Sequence, residues 1–235
     1  MALPAPAADA ARPTVAALDR LWQEVTRRPL WLPPHFFRYW RLRRDNRLTL
    51  LDPARVSVRA HRWQVNDCGC CTEVCCVGKN ATVLLRLRDI ATLMDLGRTD
   101  LIVGVKPEFS PHELAARPAL LRQVSSQAWA RFPVLAQNRM GACLALTTEG
   151  KCSLYPHWPL SCARFPYALD VDHRDAFFSP RCRSFWIYSD ADSRVAGMVA
   201  SAVHSYNERI KDLILLEYAP NRLYELGLCE HLQGR

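Results

Sequence analysis

Five cysteines crowd into ten positions in the run Asp67-Cys68-Gly69-Cys70-Cys71-Thr72-Glu73-Val74-Cys75-Cys76, and no other feature limits the fold of this chain as strongly. Adjacent cysteines make poor disulfide partners, because a bridge holds its Cα atoms ~5.5–6 Å apart whereas trans neighbours lie at ~3.8 Å. A set of metal ligands suits the run better. The N-terminal stretch MALPAPAADAARP has neither a charged n-region nor an apolar h-region, and no segment reaches the ~18 uninterrupted apolar residues of a membrane span. The expectation is a cytoplasmic protein, in which thiols stay reduced and a cysteine cluster signals metal or catalysis rather than a disulfide framework.

Spacing narrows the ligands. Cys68 and Cys71 form a Cys-x2-Cys knuckle of the kind that brings two thiolates to one ion, and Cys75 and Cys76 follow closely. Cys143, Cys152, Cys162 and Cys182 come later, in loop-like or hairpin contexts. These eight are the candidate metal ligands. Adjacent side chains point apart, so Cys75 and Cys76 serve either two metals or one metal with the second thiol outside its ligand shell. Eight thiols make two four-cysteine zinc sites, while four of them suffice for an iron–sulfur cluster. Cys229, alone in Leu-Gly-Leu-Cys, reads as a small buried hydrophobe. Cys70, between the knuckle positions, reads as a spare. His157 and His173 lie near the later cysteines but are single histidines, more often solvated or core than ligating.

The blocks Cys68-x2-Cys71-x3-Cys75-Cys76, Gly141-Ala-Cys143-Leu-x-Leu, Gly150-Lys-Cys152-Ser-Leu-Tyr155 and Pro159-Leu-x-Cys162-x-x-Phe165-Pro166 together resemble the CxxCxxCC zinc- or iron-chelating family, the YkgJ-like cysteine-cluster proteins. The resemblance covers roughly residues 65–185. It departs at the three-residue gap after the knuckle, at Trp158-Pro159 where the family has Arg-Pro, and at Arg164, one place later than the family's arginine. It implies a metal-chelating domain, and some relatives in the family are lysine N-methylases acting on flagellin.

The rest of the chain supports such a centre. Residues 1–13 read as a flexible Ala/Pro tail, 14–64 as a basic aromatic helical segment, 65–185 as the cysteine-cluster domain and 186–235 as a C-terminal helical segment packing on it. The expected fold is mainly α with irregular metal-stabilised loops and a small β-hairpin, an α+β fold of low strand content. Thr14 is the expected cap of a helix carrying Val15, Leu18, Leu21, Trp22 and Val25 on one face. A short helix holds Leu87, Ile90, Ala91 and Met94 and closes at Gly97; a further helix is expected over 118–137, interrupted at Pro133. In ACLALTTEGKCSLY, residues 142–155, period-two alternation flanks Thr-Thr-Glu-Gly. This predicts a hairpin with Gly150 at positive φ and with Cys143, Ala145, Cys152 and Leu154 on one face. Apolar residues from Val195 to Ile214 recur with the helical period, up to a stop before Pro220.

Residues 1–62 hold twelve Arg, no Lys and five acids, so nearly all of the net charge of +8 belongs there. Within 31–47, Arg38, Arg41, Arg43, Arg44 and Arg47 interleave with Trp31, Phe36, Phe37, Tyr39 and Trp40. Such a segment packs its aromatics and solvates its arginines, or grips a protein or nucleic-acid partner. Three function classes therefore stand: a metal-binding protein holding zinc, iron or an iron–sulfur cluster; a protein lysine methyltransferase-like enzyme, implied by the relatives alone and lacking any glycine-rich nucleotide turn; and an adaptor using 31–47.

Overall fold

The computed structural model describes residues 12–27, 50–58, 76–77, 82–107, 131–165, 167–170, 175–178 and 193–232. The fold is mixed α+β with helix in excess of strand, and among the described residues the sheets are small, as the patterning predicts. Helix α1 (Pro13–Arg27) buries Val15, Leu18, Leu21 and Val25, which fall at intervals of three and four residues on one face. It starts at Pro13, one residue before the expected cap. The N–H groups of Thr14 and Val15 donate instead to the two oxygens of Asp95, at 3.0 Å each. Thr14 is therefore inside the helix, and the carboxylate that caps it arrives from the end of another helix.

That second helix, α2 (Leu87–Asp95), buries Leu87, Ile90, Ala91 and Leu93 against α1. It ends where Gly97 turns to φ +65, the Gly97 N–H donating to the Met94 carbonyl at 3.0 Å and the Arg98 N–H to the Leu93 carbonyl at 2.7 Å. Glycine takes this left-handed position without a Cβ penalty, and the paired bonds satisfy the last free carbonyls.

Strand β1 (Ser57–Val58) comes before α2 in the chain, and β2 (Ile102–Pro107) and β3 (Arg131–Leu135) follow it. The helix expected over 118–137 is overturned at its end: residues 131–135 are strand, paired antiparallel to β2, and 118–130 lie outside the described residues. Phe132 and Val134, aromatic and β-branched, favour that state. Proline offers no N–H to a ladder, and the β2–β3 register shifts between Val103 and Val105, where Val105 faces Pro133. On its other side β3 meets the segment before α2, with Leu85 N–H donating to the Pro133 carbonyl and Leu135 N–H to the Val83 carbonyl, both at 2.9 Å.

Helix α3 (Leu160–Arg164) is a single short turn in the proline-rich stretch. Strands β4 (Tyr167–Asp170) and β5 (Asp175–Phe178) pair antiparallel, and β1 lies parallel to β5. The long helix α4 (Ser193–Tyr218) ends before Pro220, which opens α5 (Pro220–Glu225). Helix α4 serves two cores. Val195, Val199, Ala202 and Val203 pack with Tyr167 and Ala176 of the three-stranded sheet, whereas Ile210, Leu213 and Ile214 join α1, α2 and α5. Asn207 fastens the segment before β1 to this helix: its carboxamide accepts from Leu51 N–H at 2.8 Å and donates to the Leu51 carbonyl at 2.9 Å. Among the described residues, no helix is long and apolar enough to cross a membrane.

Candidate metal centre

The hairpin over 142–155 forms, and its turn is the predicted one. Thr147 and Lys151 close the loop through a 2.8 Å bond from Thr147 N–H to the Lys151 carbonyl, with Gly150 at φ +76. Its arms are shorter than a regular ladder. Leu146 bridges Cys152, after which each arm curls into a turn that a cysteine starts: Leu146 N–H donates to the Cys143 carbonyl at 3.0 Å and Tyr155 N–H to the Cys152 carbonyl at 3.2 Å. Ala145 and Leu154 are buried, while Cys143 and Cys152 are half-buried against the same core.

Cys143 has a further anchor. The carboxamide oxygen of Asn138 accepts N–H bonds from Met140 at 2.9 Å and Ala142 at 3.0 Å, shaping the loop that leads into it. The backbone N–H groups of Ala145 and Leu146 are directed at the Cys143 sulfur, an arrangement that favours thiolate over thiol. Hydrogen bonds of this kind to sulfur are what a thiolate–metal site uses to orient and tune its ligands.

Cys76 belongs to the early cysteine group yet lies beside this later one. Its carbonyl accepts the Cys143 N–H at 2.8 Å, and Val77 bridges Ala142. Cys162 comes from a third direction, on the third residue of α3. A thiolate at Cys76, Cys143 or Cys152 would repel one at Cys162, which burial, first of all, and then these neighbours and Asp89 push up to about 12. Burial raises Cys76 as well, followed by Cys143 and Cys152, and burial is the largest influence on Cys143. Four thiols drawn from four chain segments thus share one neighbourhood, in which negative charge accumulates at a cost unless a cation is present.

All five described cysteines are free thiols, and Cys229 stands apart, its sulfur 3.8 Å from the Pro220 carbonyl and its pKa raised by burial alone. Among the described residues, no three His, Cys, Asp or Glu side chains lie close enough together to hold a metal ion as placed. Cys68, Cys70, Cys71, Cys75, Cys182 and His173, together with the arginine-aromatic stretch 31–47, lie outside the described residues. His157 contacts the Arg12 guanidinium, a setting of structural rather than ligating character.

Sequence reasoning missed Asp89. This carboxylate is buried and accepts two backbone bonds at 2.9 Å, from Arg86 at the start of α2 and from Leu160 at the start of α3. The available signal was its place at the third position of α2, where an acidic side chain reaches back to the helix start. Comparison with protein-family models, with curated proteins and with solved structures gave no match for this chain.

Proposed function

We propose that this chain is a metal-binding protein in which Cys76, Cys143, Cys152 and Cys162 supply a four-thiolate site for zinc, iron or an iron–sulfur cluster. The observation that carries the reading is the bond from Cys143 N–H to the Cys76 carbonyl, which joins two cysteine groups lying far apart in sequence. Closing so long a loop costs entropy that grows only logarithmically with its length, and metal–thiolate bonds exceed that cost. The donor chemistry fits: four sulfurs, half-buried, one of them served by two backbone N–H groups, with no disulfide competing for them. The backbones at Cys76 and Cys143 are joined by a hydrogen bond and those around Cys143 and Cys152 by the hairpin, so closure on an ion is asked mainly of side chains. Cys68, Cys71, Cys75 and Cys182 make up a second set of the same composition. The resemblance to the YkgJ-like cysteine-cluster proteins points the same way, since its blocks contain seven of these eight cysteines, all but Cys182.

A bound structural zinc contributes ~10–16 kcal/mol of apparent binding free energy, against ~5–15 kcal/mol for the stability of a whole domain. The test is a thermal melt of the purified chain before and after removal of metal by a strong chelator. A large drop in the melting temperature, reversed by adding zinc or by rebuilding a cluster, is the expected result. A melt indifferent to chelation overturns the proposal.

A further inference from the structure

Two segments that are remote in sequence meet at one buried carboxylate, next to the one cysteine of the four that the hairpin does not supply or touch through its backbone. Cys162 rides on α3, whose five residues are too few to fix their own orientation. Three contacts fix it instead. Leu160 N–H donates to Asp89 Oδ1 at 2.9 Å, Ser161 Oγ donates to the Leu84 carbonyl at 3.3 Å, and Cys162 N–H closes the turn onto the Pro159 carbonyl at 2.8 Å. The other Asp89 oxygen accepts Arg86 N–H at 2.9 Å, so the carboxylate ties the first residue of Cys162's helix to the start of α2. Asp89 is 4% exposed, and water offers no ready substitute for either bond.

We infer that Asp89 is a positioning residue of the cysteine centre, setting where the Cys162 sulfur stands relative to Cys76, Cys143 and Cys152. This rests on the metal-binding reading. A carboxylate that takes both N–H groups at once fixes a distance between two helix starts, and a sulfur three residues into α3 inherits that placement. Groups that orient ligands in this way govern metal affinity through geometry, with losses of roughly 10–100-fold when they are removed. Asp95 provides an internal comparison, because its carboxylate on α2 also accepts two backbone N–H bonds, here both from the start of α1, but has no part in placing a cysteine.

The test is an anaerobic titration of the metal-free full-length chain with cobalt(II), read by thiolate-to-cobalt charge-transfer absorption, for the parent, Asp89→Asn, Asp95→Asn, Cys162→Ser and the Asp89→Asn/Cys162→Ser pair. Asp89→Asn should weaken cobalt binding roughly tenfold or more and reduce the absorption per cobalt to that of Cys162→Ser. The double variant should be no worse than Cys162→Ser alone. Asp95→Asn should lower the melting temperature while leaving the spectrum intact. Leu160→Pro removes the same N–H from the opposite partner, at a helix start preceded by a Pro159 with ψ 143 that tolerates proline next in the chain, and should reproduce the spectral loss if Asp89→Asn does not fold. A parent with thiolate–cobalt bands and an Asp89→Asn protein with the same bands and affinity overturns this inference alone. A parent that gives no such bands overturns the metal-binding reading and this inference with it.

Discussion

Glu208 on α4 is buried to 4% side-chain exposure and meets two cations, Arg88 Nε at 3.1 Å and Lys211 Nζ at 2.6 Å; Arg88 also contacts Asp19 on α1. One carboxylate thus helps to hold α1, α2 and α4 together. The Coulomb attraction of the Arg88–Glu208 pair at that separation is about 5 kcal/mol at an effective dielectric of ~20. Arg88 is 24% exposed, and after either is removed Lys211 still serves Glu208 while Asp19 still serves Arg88, so the measurable coupling falls to about 2–3 kcal/mol. Replacing either group alone leaves a desolvated charge behind, at about 3 kcal/mol; replacing both removes that penalty. Urea unfolding of the parent, Arg88→Met, Glu208→Met and the double variant reads the cycle. The double variant should be less destabilised than the sum of the singles by about 2–3 kcal/mol. Single effects that add to within about 0.5 kcal/mol would refute the reasoning, since the two groups would then act independently of each other.

Burial raises the Asp89 carboxyl to about 6 from 3.8, against the opposing pull of its two backbone donors and Arg86. The folded state holds this proton more tightly than the unfolded one, so stability from this group is greatest below about pH 4 and is lost as pH rises through 6; the full span is on the order of 3 kcal/mol, with about 1 kcal/mol falling between pH 5 and pH 7. Asp89→Asn, unfolded by urea at both pH values in chelator, should lack that portion of the parent's pH response, and parallel responses would contradict the assignment. Gly150→Ala meets nothing within 4 Å, so its cost is the positive φ alone, about 1 kcal/mol by chemical denaturation, and a larger loss would mean that the hairpin turn is crowded. Cys229→Ser should leave the metal content of the purified protein unchanged while Cys76→Ser lowers it, both read by elemental analysis per chain.

What the sequence makes legible is local. The spacing of Val15, Leu18, Leu21 and Val25, the stop at Gly97, the Thr-Thr-Glu-Gly turn and the long period from Val195 to Ile214 are each written within a few neighbouring residues, and each element forms. The cap of α1 is not local, because Asp95 comes from α2, and a threonine beside the helix start is an equally good candidate until the partner is seen. Strand β3 was hidden for a similar reason. Its five residues Arg-Phe-Pro-Val-Leu state no period, and it is the pairing with β2 and with Val83–Leu85 that decides their conformation. At the candidate centre, cysteine identity and spacing name the ligand candidates, but the meeting of Cys76 with Cys143 and the Asp89 link to Leu160 are long-range contacts that no spacing rule contains.

Whether these thiols hold a metal is decided by the absorption spectrum of the anaerobically purified protein, taken with zinc, iron and acid-labile sulfide analysis. Metal in stoichiometric amount is the expected result: colourless protein carrying zinc, or brown protein carrying iron with or without sulfide. Protein that is free of both metals, with its cysteines all open to a thiol reagent before unfolding, would contradict it.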